Sequence, residues 1–192
     1  MITQINGKLI EKSPTSVVID CHGVGYEINI SLNTYSKINQ EENIKLYTHL
    51  IIKEDSHSLY GFFEKKERNL FKYLISVSGV GASTARMMLS SMSIIEIESS
   101  IITENFTKIQ TIKGIGLKTA QRIVLELKDK ITVSDEGYES SLTLSNEINE
   151  AVSALEVLGY SKKQTTKIIS VIVNDNPGIN IESIIKKALN KL

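Results

Sequence analysis

The chain has 192 residues, 22 basic against 22 acidic side chains and 41% hydrophobic residues, so it can bury real cores and is not a disordered chain. No apolar run approaches the ~20 residues of a membrane span, and the start, Met1-Ile2-Thr3-Gln4, has neither a basic leader nor an apolar stretch, so no signal peptide is expected. One cysteine, Cys21, rules out an internal disulfide framework and fits a reducing cytoplasm; with His22, His49 and His57 it lacks metal-ligand spacing, so neither a zinc site nor a cofactor is expected.

The first segment reads as β. Runs rich in Ile, Val and Tyr at 1–10, 15–20, 26–30, 44–52 and 58–63 predict five short strands, with turn signals at Pro14 and Gly23-Val24-Gly25. Five strands in about 60 residues predict a small closed or half-closed barrel, with the OB-fold leading. Between the last two strands Lys53-Glu54-Asp55-Ser56-His57 reads as a polar hairpin tip. Adjacent acids there are most often a solvated turn.

Residues 64–131 read as α. Phe71, Leu74, Ile75 and Ser78 give one apolar face, and 84–89, 94–102 and 118–127 continue the helical period. From 132 to 145 the periodicity stops, and the polar, acidic stretch reads as a flexible linker. Residues 146–192 look like three helices. The first carries Ile148, Val152, Leu155 and Leu158 and stops at Gly159; the second starts at Ser161 as N-cap; the third follows Pro177-Gly178 and carries Ile181, Ile184, Ile185, Ala188 and Leu189.

The neutral charge total hides a pattern. Residues 1–63 hold five basic and seven acidic side chains, 64–132 eleven and seven, and 133–192 six and eight. A basic middle between acidic ends suits a DNA-contacting module flanked by other modules.

The strongest feature is a duplication at an offset of 35 residues. Phe71 aligns with Phe106, Gly79-Val80-Gly81 with Gly114-Ile115-Gly116, Thr84 with Thr119, Ala85 with Ala120 and Leu89 with Val124. Each unit is helix, Gly-hydrophobic-Gly turn, helix. The glycines permit backbone angles closed to other residues and close approach to a ligand. The hydrophobic residue anchors the turn, and the next helix presents free N–H groups and a positive dipole end to phosphate. This is the pattern of the helix-hairpin-helix DNA-binding motif, twice, a unit that grips the sugar-phosphate backbone and so reads structure rather than sequence. Lys118 and Arg122, one turn apart in the second copy, add phosphate neutralisers.

Rival readings fit less well. A dinucleotide loop needs a third glycine where Thr84 and Thr119 stand, and Gly116-Leu117-Lys118-Thr119 lacks the Walker order. A magnesium-dependent structure-specific nuclease built on Glu54 and Asp55 needs another carboxylate, for which Asp20, Glu27, Glu41 and Glu42 are the candidates. A DNA glycosylase would need a pocket acid that the second hairpin lacks. A pure interaction scaffold leaves the duplicated turns unexplained.

Barrel, acidic hairpin, twin helix-hairpin-helix, acidic linker and three-helix tail together resemble the RuvA family over essentially the whole chain. The stretches that carry the resemblance are Gly23-Val24-Gly25-Tyr26-Glu27; Glu54-Asp55 with Leu59-Tyr60-Gly61-Phe62; Gly79-Val80-Gly81; Gly114-Ile115-Gly116 with Lys118-Thr119-Ala120; and Leu158-Gly159-Tyr160. The resemblance implies a multidomain β + α fold, with an OB-fold barrel at 1–63, a tandem helix-hairpin-helix domain at 64–131, a linker at 132–145 and a UBA-like three-helix domain at 146–192. It implies a homotetramer, or two stacked tetramers, holding a four-way (Holliday) junction open and square-planar. The two hairpins, with Ser83, Lys118, Thr119 and Arg122, would grip the arms. Glu54 and Asp55 would form an acidic pin that repels phosphates at the crossover. Leu155, Leu158, Tyr160 and Leu189 would contact RuvB, the AAA+ ATPase of the branch-migration complex, and the RuvC resolvase is a further partner. The chain itself would be no enzyme. It departs from the family pattern at Ser83 and Leu117, where basic residues are usual, which predicts weaker arm binding or a shallower salt dependence.

Overall fold

The computed structural model describes residues 1–39, 42–131, 142–176 and 179–191. Residues 1–133 form one compact unit and 134–192 a second.

In the first unit, strands β1 (Gln4–Lys12), β2 (Ser16–Cys21), β3 (Val24–Ile30), β4 (Asn43–Ile52) and β5 (His57–Phe62) close into a barrel in the order β1-β2-β3-β5-β4. Every pair is antiparallel except β3 with β5. Alternation builds the interior: Val17 and Ile19 of β2, Ile28 and Ile30 of β3 and Ile44 and Leu46 of β4 point inward and are buried. The β2–β3 turn is tighter than the glycine pattern suggests. It is His22-Gly23, both at positive φ, with Asp20 Oδ1 accepting from the Gly23 N–H at 2.7 Å, while Val24 and Gly25 already belong to β3. A helix with no signal in the sequence, α1 (Leu32–Lys37), joins β3 to β4. Its six residues are too few for a helical period to show, and its start is fixed by Ser31, whose Oγ accepts from the Thr34 N–H.

Five helices follow: α2 (Lys65–Ser76), α3 (Ala82–Ser91), α4 (Ile94–Ile102), α5 (Phe106–Gln110) and α6 (Leu117–Leu127). They bury Phe71, Leu74, Ala85, Met88, Leu89, Ile97, Ile101, Ile109, Ile123 and Leu127 in one core. Ser78, expected on the apolar face of the first helix, lies beyond the end of α2 and is exposed. The duplication is also unequal at its start: Phe71 sits mid-helix and is fully buried, whereas Phe106 opens the five-residue α5 and is 37% exposed.

α1 is the hub that fastens these helices to the barrel. Asn33 Nδ2 donates to the carbonyls of Leu89 (2.6 Å) and Met92 (3.0 Å), and Ser31 and Thr34 hydroxyls both donate to the buried Glu67 carboxylate of α2. Arg86 of α3 adds a strap to Asn29 Oδ1 (2.8 Å) and the Thr15 carbonyl (3.1 Å). The buried ends of these bonds are satisfied, as a polar group out of water requires.

The second unit is three helices, α7 (Leu142–Val157), α8 (Lys162–Asp175) and α9 (Ile181–Leu189), around Val152, Leu155, Ile169, Ile172, Ile184 and Ala188. α7 ends where glycine signalled it: the Tyr160 N–H reaches the Leu155 carbonyl and the Gly159 N–H the Glu156 carbonyl, a Schellman closure. Ser161 precedes α8, but its Oγ donates to Gln164 Oε1 instead of accepting from the backbone. Residues 142–145, read from sequence as linker, are the first turn of α7; 132–141 and Pro177-Gly178 lie outside the described residues.

Candidate nucleic-acid interface

The two hairpin turns have the same backbone. Gly79 and Gly114 both stand at φ +91°, the left-handed region that needs glycine. Gly81 and Gly116 stand at φ −84°, ψ 168° and φ −83°, ψ 167°. Hydrogen bonds repeat as well: Val80 N–H to Val77 O (3.0 Å) matches Ile115 N–H to Ile112 O (3.1 Å), and Ala85 N–H to Gly81 O matches Ala120 N–H to Gly116 O, both 2.9 Å. Val80 and Ile115 are each 5% exposed and pin their turns into the core.

This corrects half of the sequence argument. Only the first glycine of each pair is required by backbone angle; the second has ordinary extended geometry, and nothing lies within 4 Å of where its Cβ would stand. Gly81 and Gly116 therefore keep a surface bare, which matters only to something approaching from outside.

The helices that leave these turns are left open at their N-termini. Gly81 and Gly116 are the N-caps of α3 and α6, and neither has a side chain to bond the first-turn amides. The neighbouring helices differ: α4 starts in a complete capping box of Ser93 and Glu96, and α5 is capped by Asn105. The start of α2, after Glu64, is also without a side-chain cap; at the two hairpins the open donors adjoin a bare glycine turn, in the geometry that suits an anion.

Around them Ser83 and Lys118 are exposed and Thr84 and Thr119 half-buried. Arg122 is more than a free cation. Its Nη1 donates to the Ser78 carbonyl (3.1 Å), so a residue of the second hairpin's helix holds the start of the first turn. Of the flanking cluster, Lys66 is paired with Glu98 at 3.8 Å, while Lys65 and Lys72 stay exposed.

Glu54 and Asp55 lie exposed at the β4–β5 tip, closed by the Lys53 N–H to Ser56 O bond (2.8 Å). α2 advances along the outside of the barrel in the same sense as β4: Arg68 lies over Tyr47 (5.6 Å), and one turn later Phe71 packs on His49 (5.8 Å) and Tyr60 (5.1 Å). Burial, then Lys72 and Arg68, lowers the His49 pKa below its ordinary value. Neither β4 nor α2 showed this alignment in the sequence.

Among the described residues no group of three or more His, Cys, Asp or Glu side chains could hold a metal ion; Glu41 lies outside them. Among the same residues no helix is long and apolar enough to cross a membrane.

In the second unit Leu155 is fully buried in the core and Tyr160 packs half-buried against it, whereas Leu158 (59%) and Leu189 (41%) are exposed. Val157, not singled out from sequence, is 87% exposed beside Leu158.

A five-stranded OB barrel fastened to paired helix-hairpin-helix turns with open helix starts defines a class of backbone-gripping DNA-binding protein. Residues 1–61 match the RuvA N terminal domain, 71–129 the SAM-like helix-hairpin-helix tandem and 146–192 the RuvA C-terminal domain. The chain is similar to proteins named Holliday junction branch migration complex subunit RuvA from Christiangramia forsetii (54% identical over 195 residues), Flavobacterium psychrophilum (53% over 193) and Bacteroides thetaiotaomicron (47% over 201), each match covering 100% of both chains. The chain belongs to the RuvA family.

Proposed function

We propose that this chain is the DNA-binding subunit of a Holliday-junction branch-migration complex, serving recombination and repair in the cytoplasm without an ATPase of its own. The observation that supports this most is the pair of superimposable turns, each with a bare glycine surface and an uncapped helix start. Two such grips in one compact unit suit two backbones held at a set spacing, which is recognition of DNA shape.

In this reading residues 64–131 hold the arms through Gly79, Val80, Gly81, Gly114, Ile115 and Gly116, with Ser83, Lys118 and Thr119 beside them. Arg122 serves both phosphate and the Ser78 carbonyl. Residues 1–63 carry the pin. Glu54 and Asp55, from four copies of the chain, keep the crossover open by repelling phosphates. Four copies also give the square-planar symmetry of the junction, and two such rings enclose it. Residues 146–192 meet RuvB through Leu158 and Leu189, backed by Tyr160 and the buried Leu155. RuvC would act on the same held junction.

The test is a gel shift of a four-way junction against linear duplex of the same arm sequence, at two salt concentrations, with magnesium and a check for cleavage. Junction preference without cleavage is expected. G81A/G116A is expected to keep its thermal stability, because both sites have room for a Cβ, yet to lose most junction affinity. Equal binding of duplex and junction, or unchanged binding by G81A/G116A, would overturn the assignment of the hairpins. Cleavage that disappears in D55N would favour the nuclease.

A further inference from the structure

We propose that Lys45, Lys65, Arg68 and Lys72, set along α2 and β4 with the first three gathered around Tyr47, form a second phosphate track that holds the junction backbone beyond the hairpins. The inference rests on the junction-binding reading above.

Three of these cations are spaced i, i+3 and i+7 on α2, which puts them on one face of the helix. Lys45 joins them from β4. The Lys45 Nζ lies 5.3 Å from the Tyr47 ring centroid, the Lys65 Nζ 5.6 Å and the Arg68 Cζ 5.6 Å. One ring thus draws three positive groups together, and cation–π attraction holds them without neutralising them.

Six of the twelve other cations in this unit are matched with acids, while Lys12, Lys53, Arg86, Lys113, Lys118 and Lys130 have no ion pair among the described residues. Lys8, Lys37, Lys66, Lys108, Arg122 and Lys128 each pair with a carboxylate. Among the described residues none of the four stripe cations has such a partner. Arg68 is further anchored, its Nη1 donating to the Thr3 carbonyl at 2.9 Å, while its Nε is buried with no hydrogen-bond partner. Lys72 and Arg68 are also the charges that press down the His49 pKa, so their field is felt beneath the stripe. Positive groups crowded together repel one another, and a dense polyanion relieves that repulsion best. Duplex DNA carries one charge per roughly 1.7 Å of axis. The stripe is also continuous with the hairpin interface: α2 ends at Ser76, and the first turn begins at Gly79.

K65Q/K72Q in the full chain is the test, because both side chains are exposed and neither donates a hydrogen bond that the fold uses. Junction affinity would be measured from low to moderate salt, and assembly in the absence of DNA by analytical ultracentrifugation. The slope of log affinity against log salt is expected to fall by about 2 for each chain on the junction, with at least about tenfold weaker binding at low salt and unchanged assembly. K65R/K72R is expected to restore the slope. A wild-type slope and affinity in K65Q/K72Q would overturn the proposal. So would weaker binding accompanied by loss of assembly, which would assign the stripe to contact between copies of the chain. If the wild-type chain itself showed no junction preference, the reading beneath the proposal would fail with it; failure confined to K65Q/K72Q would leave that reading standing.

Discussion

Two carboxylates in the first unit titrate in opposite senses, and each position explains why. Glu96 closes the capping box of α4. It accepts from the Ser93 backbone N–H and hydroxyl and meets Lys108 at 3.2 Å, which holds its pKa at about 2. A lowered folded-state pKa contributes stability that is present above the unfolded value near 4.5 and lost as pH falls toward 2. E96Q is therefore expected to flatten the loss of thermal stability between pH 4.5 and 2. Glu67 is the reverse case. Burial raises its pKa, and the Ser31 and Thr34 hydroxyls only partly offset that. The folded chain then holds this proton more tightly than the unfolded one, so stability declines as pH rises from 4.5 through the folded-state pKa. E67Q is expected to remove that decline, read as midpoints of thermal unfolding across pH 4–7.

The element that fastens the helices to the barrel's outer face is α2, and it rests on one ring. Phe71 stacks on Tyr60 (5.1 Å) and meets Phe62 (5.0 Å) and His49 (5.8 Å), so it joins the barrel's outer face to the helical core. F71A is expected to cost about 3–5 kcal/mol in denaturant unfolding, the range for a fully buried aromatic. F106A, at the repeat-equivalent but 37% exposed position, is expected to cost far less. A sequence alignment of the repeats treats these two phenylalanines as equals. The difference arises because α2 has a barrel to cover and α5 does not.

Across the whole molecule the two units divide the proposed labour, and the division is testable in the intact chain. Leu158 is 59% exposed at the end of α7 and outside the core of its bundle. L158D is expected to leave folding and junction binding unchanged while weakening capture of RuvB by at least tenfold, measured with purified partners. L155D, by contrast, would put a charge into a fully buried site and is expected to unfold the bundle. Wild-type RuvB capture by L158D would remove this face from the motor contact.

Much of this protein was legible in its residues because local rules wrote it. Alternation gives the strands, the 35-residue duplication gives the paired turns, and Gly159 gives the stop of α7. Long-range contacts decided the rest. α1 is too short to show a period, yet it fastens the helices to the barrel through Asn33, Ser31 and Thr34. Arg122 reads as a free cation until Ser78, 44 residues away, supplies a carbonyl. Leu155 and Leu158 look alike on a helical wheel, and only packing puts one in the core and the other in solvent. The amino-acid sequence by itself determined which backbone shapes form, since φ limits and side-chain periodicity act within a few residues. Which side chains remain free to meet a ligand was decided by the tertiary structure, because burial and hydrogen-bond partners come from residues far away in the chain.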